Sequence, residues 1–339
     1  MHAPRNIAIF FTGGTIGMQQ SADGAVRPAL HLADLLAELP GAAVKNAPLG
    51  PEHILPVEWA DLPSPHMTPA LMFQLAMDVK AMLEREDVAG AVVTHGTDVM
   101  EETAFLLDLV VPSPKPIVVT GAMRSHDEAG YDGLRNLAAA IRLCLYPVPP
   151  DLGTVVLMAD KIYAAREVTK VHSLAVNSFD APGAGPIGTC VAGGVQLFRT
   201  PLPRKALTPQ AIETAVDVVS LAPGMDGRFL ACARQCGAQG IVVEGFGAGN
   251  VPPGVLEEIR AAVAAHIPVV LTSRCIEGGV WPLYGYKGGA NELRDLGVIL
   301  GGSLRAPKAR ILLMAALGMA RGLSGLAKME AVRAAFQAY

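Results

Sequence analysis

Two short stretches put hydroxyl and carboxylate side chains where they can do chemistry. In Val92-Val93-Thr94-His95-Gly96-Thr97-Asp98, an apolar run ends in a small-residue turn carrying Thr97 and Asp98 side by side, and Val99-Met100-Glu101-Glu102-Thr103-Ala104 reads as a helix directly after it. Polar groups at the carboxyl end of a strand lie where open α/β sheets bind ligands. Near the start of the chain, Ile7-Ala8-Ile9-Phe10-Phe11 runs into Thr12-Gly13-Gly14-Thr15-Ile16-Gly17, a second strand end furnished with threonines and glycines. Two such turns can face one cleft. A threonine hydroxyl becomes a useful nucleophile only when a nearby base takes its proton. Asp98 has a second reading, as the N-cap of the helix that follows, with Glu101 and Glu102 favoured at the positive helix end.

The elements that must position these turns alternate along the chain. Strand-like runs at Ile7–Phe11, Ala91–Thr94, Ile117–Thr120 and Thr154–Leu157 are separated by helical patterns at His31–Leu39, Pro69–Glu86, Val99–Leu109 and Gly133–Leu143. Such alternation predicts an α/β fold with a mostly parallel sheet flanked by helices. Residues 1–193 form the expected N-terminal domain holding the threonines. Residues 194–212, with Pro201, Pro203, Arg204 and Lys205, read as a linker, and residues 213–339 as a smaller C-terminal α/β domain. The polar segment Gly17 to Pro28 reads as a mobile loop, and Tyr284 and Tyr286 as core residues.

Composition narrows the function classes. Across 339 residues, 51% are hydrophobic, 17% are charged and the net charge is −4, which supplies neither a basic stripe for nucleic acid nor a polybasic face for membranes. A small-molecule partner is expected. Five cysteines without a C-x-x-C pair, and eight scattered histidines without H-E-x-x-H, point to neither a disulfide framework nor a metal site. The glycine spacing Gly13, Gly14, Gly17 departs from G-x-G-x-x-G, so no dinucleotide cofactor is expected. The apolar helix around Ile311 to Ala320 is too short to span a bilayer. With no leader pattern at the N-terminus, a cytoplasmic location is expected.

Taken together, Thr12-Gly13-Gly14-Thr15-Ile16-Gly17, the Thr94 to Ala104 stretch, Thr120-Gly121-Ala122-Met123-Arg124, Asp132-Gly133 with Asn136, Arg166-Glu167-Val168-Thr169-Lys170 and Gly247-Ala248-Gly249-Asn250 resemble the bacterial-type L-asparaginase family. The resemblance implies amidohydrolysis of asparagine, with glutamine as a further substrate of broader members. It assigns Thr15 as nucleophile and Thr97, Asp98 and Lys170 as a supporting triad. It also places Ser64, Gly96, Asp98 and Ala122 on the substrate, and implies a homodimer or homotetramer in which Asn250 reaches a neighbouring subunit's site. No cofactor and no metal are implied.

The chain departs from that family in places. Gly24-Ala25-Val26 stands where many members carry a lid tyrosine that assists the nucleophilic threonine, and the first tyrosine of the chain is Tyr131. Pro65 and His66 replace the usual polar residue and aspartate after Ser64, and Glu277 and Glu292 are both candidates for a small-domain acid. Two alternatives therefore accompany the asparaginase reading: a glutaminase-asparaginase of broader specificity, and a catalytically weak amino-acid-binding regulator. The related archaeal subunit that releases ammonia for glutamyl-tRNA amidation is disfavoured by the absence of a basic surface.

Overall fold

Four apolar segments fold as parallel strands whose ends come level at one edge of a sheet. The computed structural model describes residues 6–39, 53–191, 194–202 and 205–339. The chain divides into two compact units, Met1–Pro203 and Arg204–Tyr339. The first unit runs β1 (Asn6–Phe11), β2 (Met18–Gln20), β3 (Val26–Pro28), α1 (Leu32–Glu38), β4 (Ile54–Glu58), α2 (Pro69–Leu83), β5 (Val88–Thr94), α3 (Met100–Val110), β6 (Ile117–Thr120) and α4 (Gly133–Leu145). It continues with β7 (Thr154–Met158), β8 (Lys161–Ala164), β9 (Thr169–Lys170), β10 (Phe179–Asp180), β11 (Gly188–Val191) and β12 (Gly194–Leu197).

One eight-stranded sheet has the order β12-β11-β8-β7-β6-β5-β1-β4. The strands from β4 to β7 pair in parallel, and β8, β11 and β12 extend the sheet through antiparallel pairs. Strand β5 is buried at all but one residue, as expected where helices cover both faces of a parallel sheet. Register is what matters for function. Phe11 lies opposite both Glu58 and Thr94, and Thr94 lies opposite Thr120, so the turns that follow β1, β5 and β6 leave the sheet at one level.

Helix α2 begins as its sequence suggests. The Thr68 hydroxyl accepts the Leu71 N–H at 3.3 Å, and Pro69 occupies the first turn, where no N–H is needed.

The second unit runs β13 (Val216–Ser220), α5 (Arg228–Gln235), β14 (Gly240–Gly245), α6 (Leu256–Ala264), β15 (Val269–Ser273), α7 (Ala290–Asp295), β16 (Ile299–Leu300), α8 (Ala306–Met319) and α9 (Gly325–Gln337). Its four strands form a parallel sheet in sequence order, over a core that includes Ile241, Val243, Leu256, Ile259 and Leu271. The α/β architecture with a larger and a smaller sheet agrees with the sequence reading.

Three details correct it. Residues Gly194–Leu197, expected in the linker, are strand β12, paired with β11 at the sheet edge. Pro203 and Arg204 of that expected linker lie outside the described residues. Strand β4 carries Pro56, which made it unreadable as a strand; it sits at the far edge, where a missing N–H need not break a ladder. The Gly17 to Pro28 segment is a β2–β3 hairpin with Met18 opposite Pro28.

Candidate active site

The turn after β1 is shaped by backbone. Gly14 has φ 87° and ψ 179°, a conformation essentially confined to glycine, and it caps the short 3-10 turn Thr15–Gly17. A β-carbon on Gly14 would lie 2.5 Å from the Cα and N of Gly96. Across this contact, the residue before Thr15 abuts the residue before Thr97. On its other side, a β-carbon on Gly96 would lie 2.6 Å from the Ser64 Cβ, so three loops meet backbone to backbone. Thr12 ties the first two directly, its hydroxyl donating to the Thr94 carbonyl at 2.8 Å.

Side chains shape the turn after β5. His95 is buried; its Nδ1 lies 2.6 Å from the Gly96 carbonyl and its Nε2 lies 2.9 Å from the Thr103 hydroxyl. Because a carbonyl only accepts, Nδ1 carries the proton and Nε2 accepts from Thr103. Burial holds this imidazole well below its usual range, at about 4, so it is neutral near pH 7 and serves as a brace rather than a base. The Ser64 hydroxyl donates to the Gly96 carbonyl at 2.8 Å and accepts the Val99 N–H at 3.1 Å. The capping reading of Asp98 is thereby settled: Ser64, not Asp98, takes the N–H at the start of α3, which begins at Met100 after an N-cap at Val99.

Asp98 turns instead to Lys170, 72 residues away. The Lys170 Nζ donates to Asp98 Oδ1 at 2.7 Å and to Thr97 Oγ1 at 2.8 Å. Lys170 is 13% exposed and Asp98 58%, so the ammonium is sheltered while the carboxylate still faces solvent. An ion pair this open adds little to stability. Together the two contacts link Asp98, Lys170 and Thr97 in one hydrogen-bonded chain.

Two residues given no site role by the sequence reading hold that chain of contacts in place. Glu101, 7% exposed, accepts the Lys170 backbone N–H at 2.6 Å. Arg199 donates to both oxygens of Glu167 at 2.6 and 3.2 Å and to the Gly185 carbonyl at 2.7 Å, which pins the segment leading to Lys170. Behind the β9–β10 pair, where Lys170 opposes Phe179, the Tyr163 hydroxyl donates to the Phe179 carbonyl at 2.8 Å.

The turn after β6 is braced from α4. Asp132 accepts the Met123 and Arg124 N–H groups at 3.0–3.1 Å, and Asn136 donates to the Gly121 carbonyl and to Asp132 at 3.0 Å. Ala122 is 0% exposed between them. Thus Thr15, Ser64, Gly96, Thr97, Asp98, Ala122 and Lys170 all belong to the first unit and lie on or beside loops leaving one sheet edge, or on the β9 strand that reaches it. Among the described residues, no partner engages the backbone N–H of Thr15 or of Thr97.

Asn250 belongs to the second unit, in the turn after β14, where its backbone pairs with Phe246. Its Oδ1 is buried and has no hydrogen-bond partner among the described residues. Glu292 is already committed, accepting from Arg260 at 2.7 Å and from the Gly288 N–H at 2.8 Å. Tyr284 and Tyr286, expected in the core, are instead 46% and 55% exposed and stacked with centroids 5.4 Å apart. Among the described residues, no group of three metal-ligating side chains occurs and no helix is long and apolar enough to cross a membrane.

Known proteins resemble this chain in sequence and in fold. The sequence matches the family described as "Asparaginase, N-terminal" over residues 6–203 and the "Glutaminase/Asparaginase C-terminal domain" over residues 215–329. A probable L-asparaginase of Deinococcus radiodurans is 39% identical over 318 residues, covering 92% of this chain and 93% of that protein. An L-asparaginase of Bacillus licheniformis is 34% identical over 309 residues, covering 91% and 94%. The crystal structure of a probable cytoplasmic L-asparaginase from Campylobacter jejuni gives a TM-score of 0.83 at 29% identity, covering 99% of this chain and 100% of that one. Both domain matches follow in order along a chain whose turns carry the expected threonines, and on that ground it belongs to the asparaginase family.

Proposed function

We propose that this asparaginase-family amidohydrolase converts L-asparagine to L-aspartate and ammonia, with Thr15 as nucleophile. The observation that carries the reading is the relay Asp98–Lys170–Thr97, with 2.7 and 2.8 Å contacts, set at the same strand level as the turn bearing Thr15. The Thr15 hydroxyl adds to the side-chain amide carbon while its proton passes through Thr97 to Lys170, which gives up one of its own protons to the departing amide nitrogen. The 2.8 Å contact is short enough for transfer between those two groups. The amide nitrogen leaves with a proton as ammonia, and water then cleaves the acyl-threonine. The open backbone N–H groups of Thr15 and Thr97 supply donors for the developing oxyanion, a task typically worth about 3 kcal/mol per donor. Asp98, with its carboxylate still facing solvent, takes the substrate ammonium. Ser64 exchanges its bond to Gly96 for the substrate carboxylate, and Gly96 and Ala122 form the wall through their backbone.

The enzyme acts as a homodimer or homotetramer in the cytoplasm, in asparagine catabolism. Self-association is supported by Ile276, Trp281, Leu283, Tyr284 and Tyr286, all at least 46% exposed on one segment of the second unit. That segment is bonded to the Asn250 turn through Trp281 N–H and the Ala248 carbonyl at 2.9 Å.

Ammonia release tests the assignment. Thr97→Val and Lys170→Met should each lower kcat for asparagine by roughly 10³-fold or more; unchanged rates in both overturn it. Glutamine turned over within about tenfold of asparagine would move the chain to the broader glutaminase-asparaginase class, since one methylene is worth only about 1–3 kcal/mol of discrimination. Saturable asparagine binding without turnover would identify a regulator.

A further inference from the structure

The lid hairpin β2–β3 carries no tyrosine, yet a phenol reaches the nucleophile's turn from another direction. Tyr131 lies on the loop between β6 and α4, and its hydroxyl donates to the Ile16 carbonyl at 2.6 Å, one residue beyond Thr15. The carbonyls of this turn can be accounted for one by one. Gly14 O accepts from Gly17 N–H at 3.0 Å, Thr15 O from Met18 N–H, and Gly17 O from Ala29 and Leu30 N–H at 2.9 Å. Ile16 is 0% exposed, and the partner its carbonyl has among the described residues is Tyr131. A buried carbonyl without a partner is costly, so the turn depends on that hydroxyl to keep its shape.

Tyr131 is itself held firmly. Its ring lies over Gly133, where any β-carbon would collide with the phenol, and packs edge-on against His126 with centroids 5.0 Å apart. Burial, together with the nearby Asp132 and Glu38 carboxylates, pushes the phenol above its usual range, so it remains a donor at all physiological pH values. The same loop continues to grip the chain beyond Ile16. His126 N–H donates to the Met18 carbonyl at 2.9 Å, and the Asp127 carboxylate accepts Gln20 N–H at 3.0 and 3.2 Å. Ile16, Met18 and Gln20 are alternate residues, so the loop templates the strand that leads out of the Thr15 turn. The far side of His126 is anchored on Glu38 at 2.8 Å.

We infer that Tyr131 is a positioning residue for Thr15: by holding the Ile16 carbonyl it fixes the turn from which the nucleophilic hydroxyl is presented. This rests on the reading of Thr15 as nucleophile. The grip is on backbone and not on the reacting atoms, so it orients the hydroxyl without taking its proton.

Tyr131→Phe keeps the ring and removes only the donor. Steady-state ammonia release should show kcat lowered by roughly 10- to 100-fold, the range expected when a reacting group is misplaced by a fraction of an ångström to one ångström. KM should stay within about twofold, and the rate of acyl-threonine formation in acid-quenched single turnovers, read by mass spectrometry of the Thr15 peptide, should fall by the same factor as kcat. If Tyr131→Phe does not fold, replacing Tyr131 with 4-aminophenylalanine restores a donor at the same place and should restore acylation to within about threefold of wild type. Wild-type acylation and kcat in folded Tyr131→Phe overturn the inference, as does 4-aminophenylalanine failing to support acylation. Thr15→Ala, measured alongside, separates the two readings. If it is inactive while Tyr131→Phe is normal, only the positioning role fails; if it is fully active, the nucleophile assignment fails and takes this inference with it.

Discussion

The turns after β1 and β5 end neighbouring strands at one level and each presents a threonine, yet they are built by opposite means. The first, from Thr12 to Gly17, relies on backbone: Gly13 and Gly14 take φ of 88° and 87°, and Gly14 packs against Gly96 with no room for a side chain. The second, from Thr94 to Asp98, contains no positive φ and relies on buried polar side chains, with His95, Thr103 and Ser64 satisfying one another and the main chain. A turn made of glycine contacts is rigid because nothing larger fits. One made of side-chain hydrogen bonds is rigid only while each donor and acceptor keeps its protonation state. Gly96 is packed as closely against Ser64 as Gly14 is against Gly96, so a steric change breaks either turn, and the second should fail on a chemical change as well.

The steric change with the largest expected effect is Gly14→Ala. Its β-carbon meets the Gly96 backbone at 2.5 Å, and the residue would have to hold φ 87°, ψ 179°. Strain and overpacking together cost about 3 kcal/mol or more. Since the displaced residues precede Thr15 and Thr97, ammonia release should fall by roughly 10³-fold even at temperatures where the protein stays folded. Denaturant titration and kcat report the two effects separately. Near-normal turnover would mean that the threonines are not registered by this glycine contact.

The chemical change is acid. His95 titrates near 6.5 when unfolded and at about 4 when folded, because burial disfavours the charged ring. Between those values the unfolded chain binds the extra proton. Stability contributed by the neutral ring is therefore lost as pH falls from about 6.5 and is fully lost below about 4, on the order of 3 kcal/mol in all. Urea unfolding midpoints from pH 7 to 4 should fall steeply in the wild type and less steeply in His95→Gln, which cannot titrate there. Equal slopes would show that the second turn does not depend on the protonation state of this ring.

Legibility in the sequence followed the same division. Buried parallel strands are written as unbroken apolar runs, and the glycine-threonine turns sit directly at their ends, so β1, β5, β6 and β7 and the positions of Thr15 and Thr97 could be read locally. The braces could not. Glu101 reaches Lys170 across 69 residues and Arg199 reaches Glu167 across 32, and nothing in the residues near either one signals such a partner. For the same reason Asp98 kept two readings, since a carboxylate before a helix looks alike whether it caps locally or turns to a distant lysine. Strand β12 was hidden because a short antiparallel edge strand of Gly-Val-Gln-Leu has too few apolar positions to stand out from a linker.

The smallest effect is expected where the two turns are tied by a side chain rather than by glycine. Thr12, 1% exposed, donates its hydroxyl to the Thr94 carbonyl at 2.8 Å, while its own backbone N–H reaches the same oxygen at 3.3 Å. Thr12→Val conserves shape and deletes the hydroxyl, and the carbonyl keeps its main-chain donor. The cost should be about 1 kcal/mol, the net worth of one hydrogen bond whose acceptor is not left bare. Strand pairing between Phe11 and Thr94 and the Gly14–Gly96 contact still hold the register, so kcat should stay within about threefold of wild type. A loss from Thr12→Val as large as that from Gly14→Ala would reverse the comparison, making the hydroxyl tie, and not the glycine contact, the element that aligns the two threonines.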